Sequence, residues 1–151
     1  MTIDEIVKSS IPMSPSKKVI LNIAYTQNRL VEKMVAVLKP FDLSGEQFNV
    51  LRILRGQKGK PANMWLLQER MLAKTSNTTR LVDKLLAKEL VTRKICPSNR
   101  RKMEIEITQK GLDLLADLDP VIKEYEEQFS KHMSNEDLEL LSALLDKFRN
   151  L

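Results

Sequence analysis

The sequence predicts a mainly α-helical chain carrying one short β-hairpin, on three observations. Apolar residues recur at three- and four-residue steps over most of the 151 positions, and Ser, Thr, Asn, Gly and Pro punctuate the runs. The period drops to two in two short neighbouring segments, 91–95 and 103–107. Charge is segregated: residues 55–102 hold 13 Lys/Arg and 3 Asp/Glu, whereas residues 103–151 hold 5 and 12. With 42% hydrophobic and 30% charged residues, a chain of this length is expected to form a single domain over 1–151 with a real core.

Each element has a local reason. Thr2 and Glu5 suit a cap for one short helix, with Ile3, Ile6 and Val7 on one side. The Ser/Pro-rich stretch from Ser9 to Ser16 breaks regular structure. About 17–39 reads as a helix on Val19, Ile20, Ile23, Leu30, Val31, Met34 and Leu38. At ~33 Å it is longer than one small core needs, and its excess apolar surface points to a second chain. Pro40 stops it. Ser44 and Gln47 make a capping box for the next helix, whose apolar side carries Phe48, Val50, Leu51, Ile53 and Leu54. Asn63 caps a third helix, from Met64 to about Leu72, with Leu67 and Met71 inward. After a break at 73–75, residues 76–88 form a fourth, burying Leu81, Val82, Leu85 and Leu86 and leaving Thr78, Arg80, Lys84 and Lys88 outside.

The two strands follow, joined by Cys96 to Lys102, with the basic triplet Arg100, Arg101 and Lys102 at or beside the tip. Thr108 caps a long helix reaching about Met133, bent or interrupted near Pro120. Ser134 caps a last helix in which Leu138, Leu141, Leu145 and Phe148 form a heptad-like seam. That seam and the overlong first helix favour a homodimer.

Catalytic and cofactor chemistry find no constellation. The chain has one His and one Cys, which excludes a multi-histidine or multi-cysteine metal site and a disulfide framework. His132 lies near a helix end. Cys96 has no second thiol to resolve an oxidised form, and an inert strand-end cysteine is the better reading than the nucleophile of a thiol-dependent transferase. Glu124, Glu126 and Glu127 follow a surface-helix pattern. No cofactor, no metal and no enzyme activity are expected. No apolar run approaches ~18–20 residues and no signal-peptide pattern opens the chain, so a cytoplasmic protein without membrane partners is expected.

Two short helices joined by a tight break, then a two-stranded ribbon with a basic tip, make a winged helix-turn-helix. The expected partner is double-stranded DNA. The second helix of the pair fits the major groove with Ser76, Asn77, Thr78, Thr79 and Arg80 at the base edges. Lys74, Lys84 and Lys102 are expected on phosphates, and Arg100 and Arg101 in the neighbouring minor groove. The other reading weighed is a helical adaptor whose basic hairpin binds an acidic protein.

The runs Leu81-Val82-Asp83-Lys84-Leu85-Leu86, Leu90-Val91-Thr92-Arg93, Asn99-Arg100-Arg101 and Ile105 through Gly111 resemble the MarR family of bacterial transcriptional regulators. The resemblance spans about residues 17–150. It implies a helical dimerisation region built from the N- and C-terminal helices, about 17–39 and 108–150, around a DNA-binding lobe at about 44–107. It also implies a homodimeric repressor on near-palindromic operator DNA, released by a small aromatic or phenolic ligand. The pocket it implies would draw on Tyr25, Arg29, Phe48 and Arg52 as an aromatic wall and a cation, although Phe48 also suits the core and the arginines the surface. Three departures stand out. Asn99 replaces the wing Asp that steadies Arg101, Glu89 replaces the Gly after the recognition helix, and residues 1–50 lack the Cys of the peroxide-sensing branch.

Overall fold

The computed structural model describes residues 1–150. Helix α1 (Ile3–Ile6) is closed by the capping box of Thr2 and Glu5, and buries Ile3. Helix α2 runs from Pro15 to Leu38. Its start corrects the expectation that Ser14 and Pro15 only break structure. The Ser14 hydroxyl accepts from the Lys17 N–H, and Pro15 takes the first helical position, where its missing N–H costs nothing. A 3₁₀ turn over Lys39–Phe41 and a left-handed Asp42 then reverse the chain.

Helices α3 (Gly45–Gly56), α4 (Met64–Arg70) and α5 (Thr78–Ala87) follow, capped by Ser44, Asn63 and Asn77. Strands β1 (Val91–Cys96) and β2 (Asn99–Ile107) pair antiparallel from Val91↔Ile107 to Ile95↔Met103. Ala62 exchanges both backbone hydrogen bonds with Ile105, at 2.9 and 2.7 Å, and so ties the entry to α4 onto the hairpin. Helix α6 (Gln109–Ser130) runs uninterrupted through Pro120, so of the expected bend or interruption there is no interruption, and it ends earlier than Met133. Pro120 is solvent-exposed, so its lost hydrogen bond leaves the preceding carbonyls open to water. Helix α7 (Asn135–Arg149) closes the chain behind the capping box of Ser134 and Asp137.

One core joins the lobes. Val50, Leu51, Leu67, Val82, Leu85 and Ile105 are fully buried, with Leu38 of α2 and Leu115 and Leu118 of α6. Polar ties lock the outer helices to this centre. Arg55 grips Asp119 through two hydrogen bonds of 2.8 and 3.0 Å. The Tyr125 hydroxyl donates to the Leu30 carbonyl at 3.2 Å, and burial, with Glu126 adding to it, pushes this phenol above its ordinary pKa.

The joint between hairpin and α6 has no linker. Leu90 O accepts from the Thr108 N–H, while the Thr108 hydroxyl donates to Glu89 O. Gly111 is obligatory here, because a Cβ would stand 2.5 Å from Leu90 O and 2.7 Å from Ile107 Cγ1. Glu89 holds φ at 59°, the left-handed turn that favours glycine, and Lys110 reaches its carboxylate at 3.3 Å.

Apolar side chains stand exposed on the outer helices. On α2, Val19, Ile20, Val31 and Val35 are exposed, and α7 buries no residue at all. The seam expected on α7 divides. Leu138 and Leu145 are half-buried, whereas Leu141 and Phe148 face solvent together with Leu140 and Leu144. No helix among the described residues is long and apolar enough to cross a membrane.

Candidate nucleic-acid interface

Asn77 caps helix α5, its Oδ1 accepting from the Arg80 N–H at 3.1 Å. Two residues expected at base edges turn inward instead. Ser76 is 9% exposed and donates its hydroxyl to Glu46 Oε1; Thr78 is 5% exposed and donates to Gln68 Oε1. Gln68 in turn donates through Nε2 to the Lys74 carbonyl at 2.8 Å. These hydroxyls latch α3, α4 and α5 together. The physical reason is desolvation: the helix pair closes over both hydroxyls, and each takes a side-chain acceptor in place of water.

The exposed side of α5 therefore carries Thr79, Arg80, Asp83 and Lys84. Lys88, expected outside, is half-buried and pairs with Asp42 Oδ2 at 3.0 Å. Lys74 is exposed, but its ammonium is tied to the Glu69 carbonyl. Asp83 binds Arg93 of β1 at 2.7 Å, which couples the outer side of α5 to the hairpin.

The hairpin is longer and its turn tighter than expected. Only Pro97 and Ser98 lie outside the strands, and Cys96 pairs with Asn99. Because Ile95 pairs with Met103, Arg100, Arg101 and Lys102 bulge from β2 without strand partners. The basic triplet thus sits in a bulge behind the tip. Asn99 Oδ1 accepts from the Arg101 backbone N–H at 3.0 Å, so it braces the bulge backbone, not the Arg101 side chain. The Cys96 thiol lies 3.2 Å from the Ser98 hydroxyl.

None of Arg80, Lys84, Arg100, Arg101 and Lys102 forms an ion pair among the described residues. Five unneutralised cations on one lobe create a field suited to a polyanion. Trp65, to which the sequence pattern gives no role, stands 70% exposed on α4 beside this bulge. Its only signal in the sequence is a lone Trp in a short amphipathic helix.

The expected ligand wall does not assemble from the four residues named for it. Phe48 is a core residue, 6% exposed, and the Arg52 guanidinium lies over its ring at 5.7 Å. Arg29 pairs with Glu32 on its own helix. Neither Tyr25 nor Arg29 lines the apolar groove that the fold does form. That groove, of about 330 Å³, is walled by Val31, Met34 and Val35 of α2, Glu46 and Asn49 of α3, and Met71 and Leu72. No group of His, Cys, Asp and Glu among the described residues is arranged to hold a metal.

Residues 43–103 match the model of the MarR family. The chain is 30% identical over 105 residues to the HTH-type transcriptional regulator MhqR of Bacillus subtilis (strain 168), covering 70% of this chain and 71% of that one. It superimposes on a MarR transcription factor from Planctomyces limnophilus with a TM-score of 0.70 and 29% identity, covering 90% and 98% of the two chains. A structure of Bordetella bronchiseptica BpsR, described in terms of regulation of DNA binding by 6-hydroxynicotinic acid, shares the fold at TM-score 0.80 and 20% identity, over 93% and 99%.

Proposed function

The chain belongs to the MarR family of winged-helix transcriptional regulators, and from that premise we propose that it works as a homodimeric repressor on near-palindromic operator DNA, released by a small hydroxylated aromatic. The observation that carries this reading is the unpaired cation set on α5 and the β2 bulge, beside the exposed Thr79. Arg80 and Thr79 read base edges in the major groove. Lys84 and Lys102 neutralise phosphates, and Arg101, with Arg100 beside it, enters the minor groove. Asn77, Ser76 and Thr78 position the helix and do not read sequence. Lys74 adds a phosphate contact once it leaves the Glu69 carbonyl.

The apolar surfaces of α2 and α7 support two-fold pairing, since a helix that leaves Leu140, Leu141, Leu144 and Phe148 exposed and fully buries no residue gains part of its stability elsewhere. Dimerisation then rests on about 15–38 and 109–149, and DNA binding on about 44–107. Two half-sites about one helical turn, ~10 bp, apart are expected.

The groove between α2 and α3 is the ligand site in this reading. It carries a carboxylate, Glu46, and no cation, so it favours a neutral phenol over an aromatic acid. Glu46 also accepts from Ser76 at the entry to α5, so a ligand there bears directly on the recognition helix.

The test is footprinting of the duplex around the protein's own coding region over a salt series, with sedimentation in parallel. A protected pseudo-palindrome, a steep salt dependence and a dimer are expected. Binding to heparin without any preferred duplex sequence, or a stable monomer at micromolar concentration, overturns the reading. Phenol and salicylate titrated against the complex decide the ligand class; release by neither removes the ligand claim.

A further inference from the structure

Trp65 is the only tryptophan of the chain, and its indole is largely uncovered although Leu66 and Leu67 beside it are partly or fully buried. A side chain this large is normally covered over most of its area. Its N–H has no acceptor among the described residues. Across a cleft of about 430 Å³ it faces Arg101, Lys102 and Met103 of β2. The two walls are held in fixed relation, because the Ala62–Ile105 backbone pair joins the segment just before α4 to the strand just beyond Met103. The cleft therefore exists before any partner arrives, with an aromatic plane and a free N–H donor on one side and unpaired cations on the other.

We infer that this cleft seats the sugar–phosphate strand bordering the minor groove that the hairpin enters. The inference rests on the DNA-binding reading above and adds a contact to it. A nucleic-acid backbone alternates an apolar deoxyribose face with an anionic acceptor, and the cleft offers a complement to both. The Trp65 ring lies against a deoxyribose, its indole N–H donates to a phosphate oxygen, Lys102 neutralises that phosphate, and Arg101 reaches past it into the groove. The bulge lies on the hairpin that the Asp83–Arg93 pair ties to α5, so both belong to one lobe. Trp65 is thus a sequence-independent positioning contact.

Being the only tryptophan, Trp65 reports on its own surroundings. Adding duplex operator to the wild-type protein is expected to shift and quench its emission in step with binding measured by anisotropy of labelled DNA. Trp65→Ala is expected to bind about tenfold more weakly on every sequence, as loss of a charge-assisted hydrogen bond implies, with Trp65→Phe between the two. The salt slope is expected to stay unchanged in both, whereas Lys102→Ala lowers it by about one. Circular dichroism checks that both variants are folded, as an exposed side chain leads one to expect. If the wild type binds duplex with unchanged emission and Trp65→Ala binds equally well, this contact is wrong while the DNA-binding reading stands. Emission that changes with protein concentration and not with DNA assigns Trp65 to an interface between chains, and also overturns it. Failure of the wild type to bind any duplex defeats both readings together.

Discussion

Replacing Thr78 by Val separates a structural hydroxyl from a base-reading one. The substitution keeps the branched shape and removes the donor to Gln68 Oε1. Thr78 is 5% exposed, but Gln68 is half-buried, so water compensates part of the loss at the acceptor. An unmade hydrogen bond of this kind costs about 1–2 kcal/mol. For a domain near 150 residues that lowers Tm by roughly 2–8 °C. The companion change Thr79→Val removes an exposed hydroxyl and is expected to alter stability by less than about 0.5 kcal/mol. Thermal unfolding measures the first effect. Binding to the operator and to a panel of single-base-pair variants measures the second. Thr78→Val is expected to weaken binding to all members by one common factor, because a loosened α5 is misplaced on every sequence. Arg80→Ala, by contrast, is expected to relax preference at one base pair by about 1–3 kcal/mol. An unchanged Tm together with a reordered panel for Thr78→Val would refute the reasoning and return Thr78 to the DNA-reading surface.

Gly111→Ala is expected to destabilise by about 1–2 kcal/mol in denaturant unfolding, since overpacking against Leu90 O outweighs the gain in helix propensity; equal or greater stability would count against the tight joint. Glu89→Gly is expected to raise stability by about 0.5–1 kcal/mol, because relief of the left-handed strain exceeds both the entropy of glycine and the exposed pair with Lys110, whereas Glu89→Ala brings no gain. Leu141→Asp combined with Leu144→Asp is expected to dissociate or unfold the protein in sedimentation and circular dichroism, and a folded dimer would move the interface elsewhere. Alkaline spectrophotometric titration is expected to show a phenol ionising above the usual ~10. Burial, with Glu126 adding to it, opposes ionisation of Tyr125 in the fold, so its contribution to stability is complete below the unfolded pKa and is lost as pH rises through the raised one.

Periodicity and punctuation carried most of the fold. The capping boxes at Ser44 and Ser134, the Asn63 and Thr108 caps and the change of period at Val91 all stand where local chemistry places them. What escaped was decided by partners distant in the chain. Ser76 and Thr78 read as a polar, DNA-facing run, because nothing near them reveals that Glu46 and Gln68 will cover them. The bulge escaped for a different reason: the Ile95–Met103 pair follows from the two alternating runs, but Cys96 also pairs across the turn with Asn99, which leaves Arg100, Arg101 and Lys102 over, and turn composition does not reveal that pair. On α7, a three–four spacing fits both Leu138/Leu145 and Leu141/Phe148, and only packing separates the stripe leaning on its own chain from the one facing away. Ser14-Pro15 matches both an interruption and an ordinary helix start, and the hydrogen bond that Ser14 accepts from the Lys17 N–H decides for the second.

The linkerless joint at Glu89, Leu90, Thr108 and Gly111 makes α6 a lever. A helix of 22 residues is ~33 Å long, so a tilt of about 5° at the joint displaces its far end by roughly 3 Å, close to the rise of one base pair. With α6 anchored in a paired scaffold, the same tilt instead displaces the lobe bearing α5. In the proposed dimer, two such lobes would meet grooves whose separation the duplex fixes at ~34 Å. An angular change too small to disturb any single contact is then enough to put two recognition helices out of step with one DNA turn.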